Sequence, residues 1–591
     1  MAEIYVTSTA DSGAGSLRQA IADAQDGDVI LFDADVFPAG ETTSILLSSY
    51  ITINKSVSIY GGFSDGAGGY TSGATKRYYV YRDIDNVKTK VYIDDNNPAT
   101  EGETVLFENV CRVALDGQEA VRQVYLNSTE GAVTQFCGIS FKNGFSTVGG
   151  GCCFAGSSAG VIFKGCDFID CVAANGGGIY SASTSQSTLN DCTFYGCTAT
   201  NGGGVYSANT SQNTLNGCVI DGCNATSNGG GVYSTNTSQN TLNGCIVDGC
   251  SASNNGGGVY STSASQNSLN DCTITGCTAT SYCGGLRSAD TSKNTLNNCI
   301  FDSCTAKYGG AINSISSSQN TLNGCTITNC SAVNNAGGIL SVNTSQNTLN
   351  GCTITDNTSD TAGREGVVLG DSSILNSNNS VVDHLYVGMS AILNITNNIT
   401  TVGSALFGRN AQGVAATVMI NDGAALTLPD SANVAGATFT SSGRGYLAVG
   451  AGINVSAATL TNVVLCAYGA DVSSFVEVDG VLEWDAANPT TTVLIERADG
   501  DSWTTVTQTA GESLTLYLPP SDTVRLFDGV QFFTAQAPDV RTYYYIGGAE
   551  GSFTSAADWS LRRGGVAITE PPVVAGQRFI VGDIAEEEQG S

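Results

Sequence analysis

The chain has 591 residues, with 73 Gly and only 9 Pro, and charged residues make up 13% of it against the usual quarter. At 41% hydrophobic it is too apolar for a disordered linker. Its 53 acidic against 23 basic residues leave a net charge of −30, which excludes nucleic acid and anionic membrane surfaces as natural partners, because both demand a basic footprint.

The opening "MAEIYVTSTADSG" has no basic n-region and no apolar stretch, so it is not a signal peptide. No run of 18 apolar residues follows it anywhere, so no membrane insertion by this segment is expected. An export signal and an anchor are expected to lie outside the sequence. Next comes "GSLRQAIADAQDGDVILFD". Ser16 and Gln19 have the spacing of a capping box, and Leu17, Ala20, Ile21 and Ala24 form one apolar helix face. Gly27 ends this helix and Val29–Phe32 begins a strand. Residues 1–69 read as an N-terminal amphipathic cap with the first coils of a solenoid, whose open ends need such covers.

Residues 70–135 carry a basic and aromatic cluster, "KRYYVYRDIDNVKTK", and read as irregular coils with an insertion, the cluster itself being a solvated strand pair. From 136 to 360 one sentence recurs. Its first cysteine falls at Cys166, Cys192, Cys218, Cys245, Cys272, Cys299, Cys325 and Cys352, in steps of 26 or 27 residues. A second cysteine stands five residues on, from Cys171 to Cys330, with Asn357 in its place in the last block. Gly triplets (149–151, 176–178, 202–204, 229–231, 256–258) and two Asn columns keep the same register. One column runs through Asn190, Asn216, Asn243, Asn270, Asn297, Asn323 and Asn350; the other runs through Asn213, Asn240, Asn267, Asn294, Asn320 and Asn347.

"TLNGCTITNC" alternates apolar and polar residues with β-branched enrichment, so each block is short strands joined by Gly, Asn and Ser turns. Such a block cannot bury its apolar face alone and must stack as one coil of a parallel β-helix. Coils ~4.8 Å apart turn identical residues into ladders, and eight of them extend roughly 38 Å. Stacked Asn can hydrogen-bond along the axis. The cysteines read as a buried ladder of free thiols, with disulfides the alternative. Their total of 21 is odd, so at least one stays unpaired in a monomer. A C-x₄-C column without histidines does not suit zinc.

From 361 to 487 the short-strand rhythm continues in less regular coils, and 488–591 reads as a C-terminal β domain or cap. The fold class expected is all-β, a parallel β-helix with an N-terminal helical cap and a C-terminal β region.

"GGAI" at 309–312, with its variants "GGGV" and "GGGI", resembles the GGA(I/L/V) motif of chlamydial polymorphic outer membrane proteins. "FDSC" at 301–304 and "ITDN" at 354–357 resemble that family's FxxN motif, each with one departure. "STADSGAGSLRQAIADAQDGDVILF" is similar to the start of bacterial β-helix surface proteins and autotransporter passengers. The resemblance spans residues 1–360. It implies a right-handed helix and an extracellular or bacterial cell-surface location, with an adhesive role toward a glycan or a surface protein of a host or neighbouring cell. The anchoring β-barrel of autotransporters is not in this sequence.

Three residues after the first cysteine stand Asp221 and Asp248, stacked neighbours whose like charges repel. Either a cation such as Ca²⁺ sits there, or one pKa rises, or the side chains splay into water. No other cofactor is indicated. A polysaccharide lyase or glycosidase on this scaffold would need paired carboxylates with a suitable base. Arg287, Lys293 and Lys307 are not placed for that, and the single histidine, His384, stands alone. A purely structural spacer or surface-layer component is a further alternative. The binding surface expected is Tyr180, Tyr206, Tyr233 and Tyr260, which follow the apolar residue after each Gly triplet and should point outward by strand alternation. The column then changes to Arg287, Asn313 and Leu340.

Overall fold

The computed structural model describes residues 1–537 except 65–68, 85–86, 128–130, 156–159, 371, 389, 397–399, 408–415, 430–431, 436, 452, 457, 468, 479–480, 501, 517 and 519–520; beyond these it describes the strands Thr542–Tyr545, Trp559–Ser560 and Arg578–Ile580. The chain divides into two compact units. The first holds residues 1–394 and 406–417; the second holds 395–405 and 418–591.

In the first unit each repeat is one four-sided coil. In the block starting at Gly229 the first face is Val232–Ser234, the second Gln239–Asn243, the third Ile246–Asp248 and the fourth Ser251–Ala252. Every face pairs in parallel and in register with the coils on either side: Val205, Val232 and Val259 align, as do Asn213, Asn240 and Asn267. The fourth face forms a nine-stranded parallel sheet of its own. Gly229 turns the corner at φ +65°, and a Cβ on Gly230 would sit 2.3 Å from the carbonyl oxygen of Gly257 in the next coil. Only glycine lets the stacked backbones approach this closely.

The interior is layered by residue type. Leu215, Leu242 and Leu269 point inward from the second face, and Phe141, Phe168 and Phe194 stack from the third at centroid distances of 5.3 and 4.5 Å. The inside is not wholly apolar. The column from Asn213 to Asn347 is buried, and each Asn before the last donates its amide to the Asn of the following coil: Asn240 to Asn267 and Asn267 to Asn294 at 3.0 Å, Asn294 to Asn320 and Asn320 to Asn347 at 2.9 Å. First-face serines complete it; Ser207 donates to Asn240 at 2.8 Å and Ser234 to Asn267 at 2.9 Å. The outer column runs the opposite way. Asn243 donates to Asn216 at 2.8 Å and Asn297 to Asn270 at 2.7 Å, each toward the preceding coil.

The cysteines sit at corners of the coil. Cys245 donates its thiol to the carbonyls of Leu215 and Asn243, and Cys250 to that of Ile220. Asn357 takes over this role in the last block, with its amide on the carbonyls of Ile327 and Thr355 and its own oxygen on the amide of Cys330. Cysteine and asparagine are thus interchangeable corner donors, a finer reason for the column than apolar filling. All 21 cysteines are buried and none is joined to another by a disulfide. Burial pushes the thiols of Cys171, Cys223 and Cys250 well above their ordinary value.

At the N-terminus the helix spans Leu17–Asp23 and buries Leu17, Ala20 and Ile21. The Ser16 hydroxyl accepts from the amide of Gln19 at 3.2 Å, but the reciprocal half of the capping box is missing, because the Gln19 side chain bonds Asp23 instead. Lys55 caps the other end by donating to the carbonyls of Ile21, Ala22 and Ala24.

The second unit begins with parallel strands (Ala425–Leu428, Thr438–Val449, Thr459–Ala467) and continues in antiparallel sheets, one ordering Ser502–Thr509, Val493–Asp499, Thr523–Phe527 and Phe532–Gln536. Its buried Glu496 accepts from Arg444, Arg525 and Tyr446.

Replacing Asn267 by Ala removes one amide and strands the donors and acceptors above and below it. Because an unsatisfied buried polar group costs about 1–3 kcal/mol, denaturant unfolding should show a loss of about 2 kcal/mol or more. A loss below about 0.5 kcal/mol would show the ladder to be dispensable. For the thiols, alkylation of native protein should capture few cysteines, and alkylation in denaturant without reductant should capture all 21. A shortfall in the denatured sample would reveal disulfides.

Candidate functional site

The first-face strand alternates, so Val205, Val232 and Val259 are buried while Tyr206, Tyr233 and Tyr260 point outward in register. With Tyr180 they form a continuous stack at centroid distances of 5.0, 5.0 and 5.2 Å. The rings are half-buried because they lie over the glycine corners; a Cβ on Gly229 would stand 2.8 Å from that of Tyr233. Burial accordingly raises the phenols of Tyr180, Tyr206 and Tyr233. Across the corner runs a third amide ladder on the fourth face: Asn201 donates to Asn175 at 3.0 Å, Asn228 to Asn201 at 2.9 Å and Asn255 to Asn228 at 2.6 Å. An aromatic strip therefore lies beside an amide strip at the same coil spacing.

The strip ends where the column changes residue. Arg287 lies with its guanidinium carbon 4.4 Å from the ring centre of Tyr282, on the neighbouring face, and 6.0 Å from that of Tyr260. Tyr282 stacks on Tyr308 at 5.3 Å, so the aromatic surface crosses to the other side of the corner. In sequence this crossing was invisible, because Tyr282 and Tyr308 stand outside the column of the other four.

Asp221 and Asp248 are stacked as their spacing requires, but neither splays into water; their exposures are 3% and 5%. The insertion covers them. It is a three-stranded antiparallel sheet of Ala74–Ile84, Val87–Tyr92 and Leu106–Cys111 that lies against the third face, so the basic cluster is not a solvated strand pair. Tyr79 and Tyr81 donate their hydroxyls to Asp221 at 2.5 and 3.0 Å, and Lys88 reaches Asp248 at 3.3 Å. Lys76 pairs with Asp191 at 2.7 Å. Protein donors thus stand where solvent or a Ca²⁺ ion was expected, and no group of three metal-ligating side chains occurs among the described residues. Burial raises the Asp221 carboxyl despite the tyrosines, and lifts that of Asp248 to about 6 despite Lys88.

Two coils before Asp221, Asp167 is also under this sheet. Asn109 donates its backbone amide to it at 3.1 Å, Cys111 its thiol at 3.5 Å, and Thr193 its hydroxyl. Burial pushes its carboxyl up to about 6. Sequence reading missed Asp167, since it falls one residue after a cysteine in a column otherwise filled by Thr, Val and Ile.

A family model described as the right handed beta helix region matches residues 84–247 and again 217–353. It supports the parallel, right-handed coil and carries no activity with it. Neither the curated proteins nor the solved structures yield a match.

An aspartate ionises near pH 4 when exposed and near 6 at position 167. Folding therefore favours the protonated form. Its stabilising contribution is complete below about pH 4 and is lost as pH rises toward 6. Asp167→Asn fixes the neutral state, so thermal melts should show the variant gaining on the parent across that window and keeping the gain above it. Parallel pH profiles for parent and variant would refute this.

Proposed function

We propose that this chain is an extracellular or cell-surface binding scaffold that holds a glycan along the Tyr180–Tyr260 strip. The observation that carries the reading is the pairing of two strips at one corner, stacked aromatic faces and hydrogen-bonding amides, both repeated at the coil spacing. Sugar rings present apolar C–H faces to aromatic rings and hydroxyls to amides, so a chain of sugars laid along the corner would meet both at every step. Asn201 and Asn255 each spend one amide hydrogen on the ladder and keep the other, while the second hydrogen of Asn228 goes to the Ser227 hydroxyl at 2.9 Å.

The strip needs no moving part. The rings stand on a backbone whose inner side is locked by the Asn–Ser ladder, and little ordering entropy is left to spend on binding. The acidic composition and the resemblance to surface adhesins support the location. Binding without turnover is the activity proposed. Asp221 and Asp248, the carboxylates an enzyme reading would have recruited, are committed to holding the inserted sheet.

On a glycan array the parent should bind one or more oligosaccharides. The double variant Tyr206→Ala/Tyr233→Ala should lose about 1 kcal/mol per ring, roughly thirtyfold together, with an unchanged circular dichroism spectrum. Unchanged glycan binding by the variant would remove the strip from consideration. Binding only to proteins would identify the partner as a surface protein instead, and release of shortened sugars would establish an enzyme.

A further inference from the structure

Between the inserted sheet and the third face lies a cavity of about 390 Å³, partly open to solvent. Its volume falls within the range of small-molecule sites, about 300–1,000 Å³. The coil supplies Ser140, Lys142 and Asp167; the sheet supplies Arg77, Lys90 and Glu108.

Two features of this lining are unresolved by the protein itself. The hydroxyl of Ser140 is buried, with the residue 2% exposed, and has no hydrogen-bond partner. Buried polar groups are almost always satisfied, so an orphan aimed into a cavity calls for a partner from outside. The second feature is charge. Arg77 and Lys90 share one carboxylate, Glu108, at 2.8 and 2.5 Å. Burial would raise that carboxyl, but the bonds from Lys90 and Arg77 more than reverse this, so it stays ionised. Lys142 forms no ion pair among the described residues. Asp167, the other acid, is held by three neutral donors and none of the cations. In a chain of net charge −30, this cavity is locally cationic.

Ser140 and Lys142 sit two residues apart on one strand and share its outward face. We infer that the cavity binds a small hydroxylated oxyanion of one sugar ring, its anionic group on Lys142 and a hydroxyl on Ser140. Carboxylate and phosphate present the same oxygen acceptors to an ammonium, and either source satisfies the site. The site is separate from the tyrosine strip and does not depend on it.

Isothermal titration of the full chain tests this with glucuronate, glucose 6-phosphate and neutral glucose. One or both anions should bind, with glucose weaker by about tenfold or more. Ser140→Ala should weaken the anion about fivefold, and Lys142→Met about tenfold or more. Neither truncation breaks a bond present in the protein, so both variants should melt with the parent; Ser140→Ala should melt no lower, since it removes an unpaired buried hydroxyl. The Tyr206→Ala/Tyr233→Ala variant should bind these anions as the parent does, so the two proposals fail independently. Absence of binding by both anions up to about 10 mM, equal binding of glucose, or parent-like affinity in both cavity variants would overturn the inference.

Discussion

A coil of this solenoid has to end on a surface that continues its own hydrogen bonds, or the next coil cannot sit. Backbone pairing meets that demand on the four faces. The amide ladders meet it again with side chains, inside the coil through Asn213–Asn347 and outside it through Asn190–Asn350. The two ladders donate in opposite directions along the stack. Their amide dipoles therefore oppose rather than add, while the shorter fourth-face ladder from Asn175 to Asn255 runs with the outer one. The inner ladder stops where Leu375 aligns with Asn347, and the Asn347 amide is left without a partner there.

The same demand decides the residue types that first look chemical. A column of paired cysteines invites a metal or a disulfide framework. Here most of these thiols spend their weak donor on a carbonyl at a corner, and Asn357 does the same work with an amide. A glycine triplet invites a phosphate loop. Here the first glycine turns the chain and the second clears the carbonyl of the next coil. Repetition at the coil spacing amplifies any side-chain preference into a column, so a column is weak evidence of a ligand. Better evidence is a break in register, and both candidate surfaces stand at breaks. The tyrosine strip ends at Arg287, and the cavity lies under an insertion that interrupts the coil.

The insertion shows how an acidic column can be made useful. Stacked carboxylates at Asp221 and Asp248 would repel in water. Covered by Tyr79, Tyr81 and Lys88 they become the attachment points of a three-stranded sheet that has no register of its own with the coil. The lysine ammonium that pairs Glu108 also lies 3.8 Å from the ring centre of Tyr79 and 4.8 Å from that of Tyr195, which ties sheet and coil through a cation–π contact.

How much was legible in the sequence follows from which residues repeat. The period of 26 or 27, the Gly corners, the two Asn columns and the outward tyrosines are properties of one coil copied many times, and local periodicity reports them. The helix from Leu17 was legible through its apolar face, while the failure of Gln19 to complete the cap was not, because Asp23 competes for it only once the helix exists. The partners that the inserted sheet gives to Asp221, Asp248 and Asp167 lie 56 to 160 residues away in sequence. No spacing rule connects them, since their meeting depends on where an irregular sheet folds back onto a regular face. The sequence by itself determined the coil and its ladders, for stacking energies act between neighbouring repeats. Only the tertiary structure decided which columns meet solvent and which meet protein, because that depends on long-range contact made once rather than on a pattern made many times.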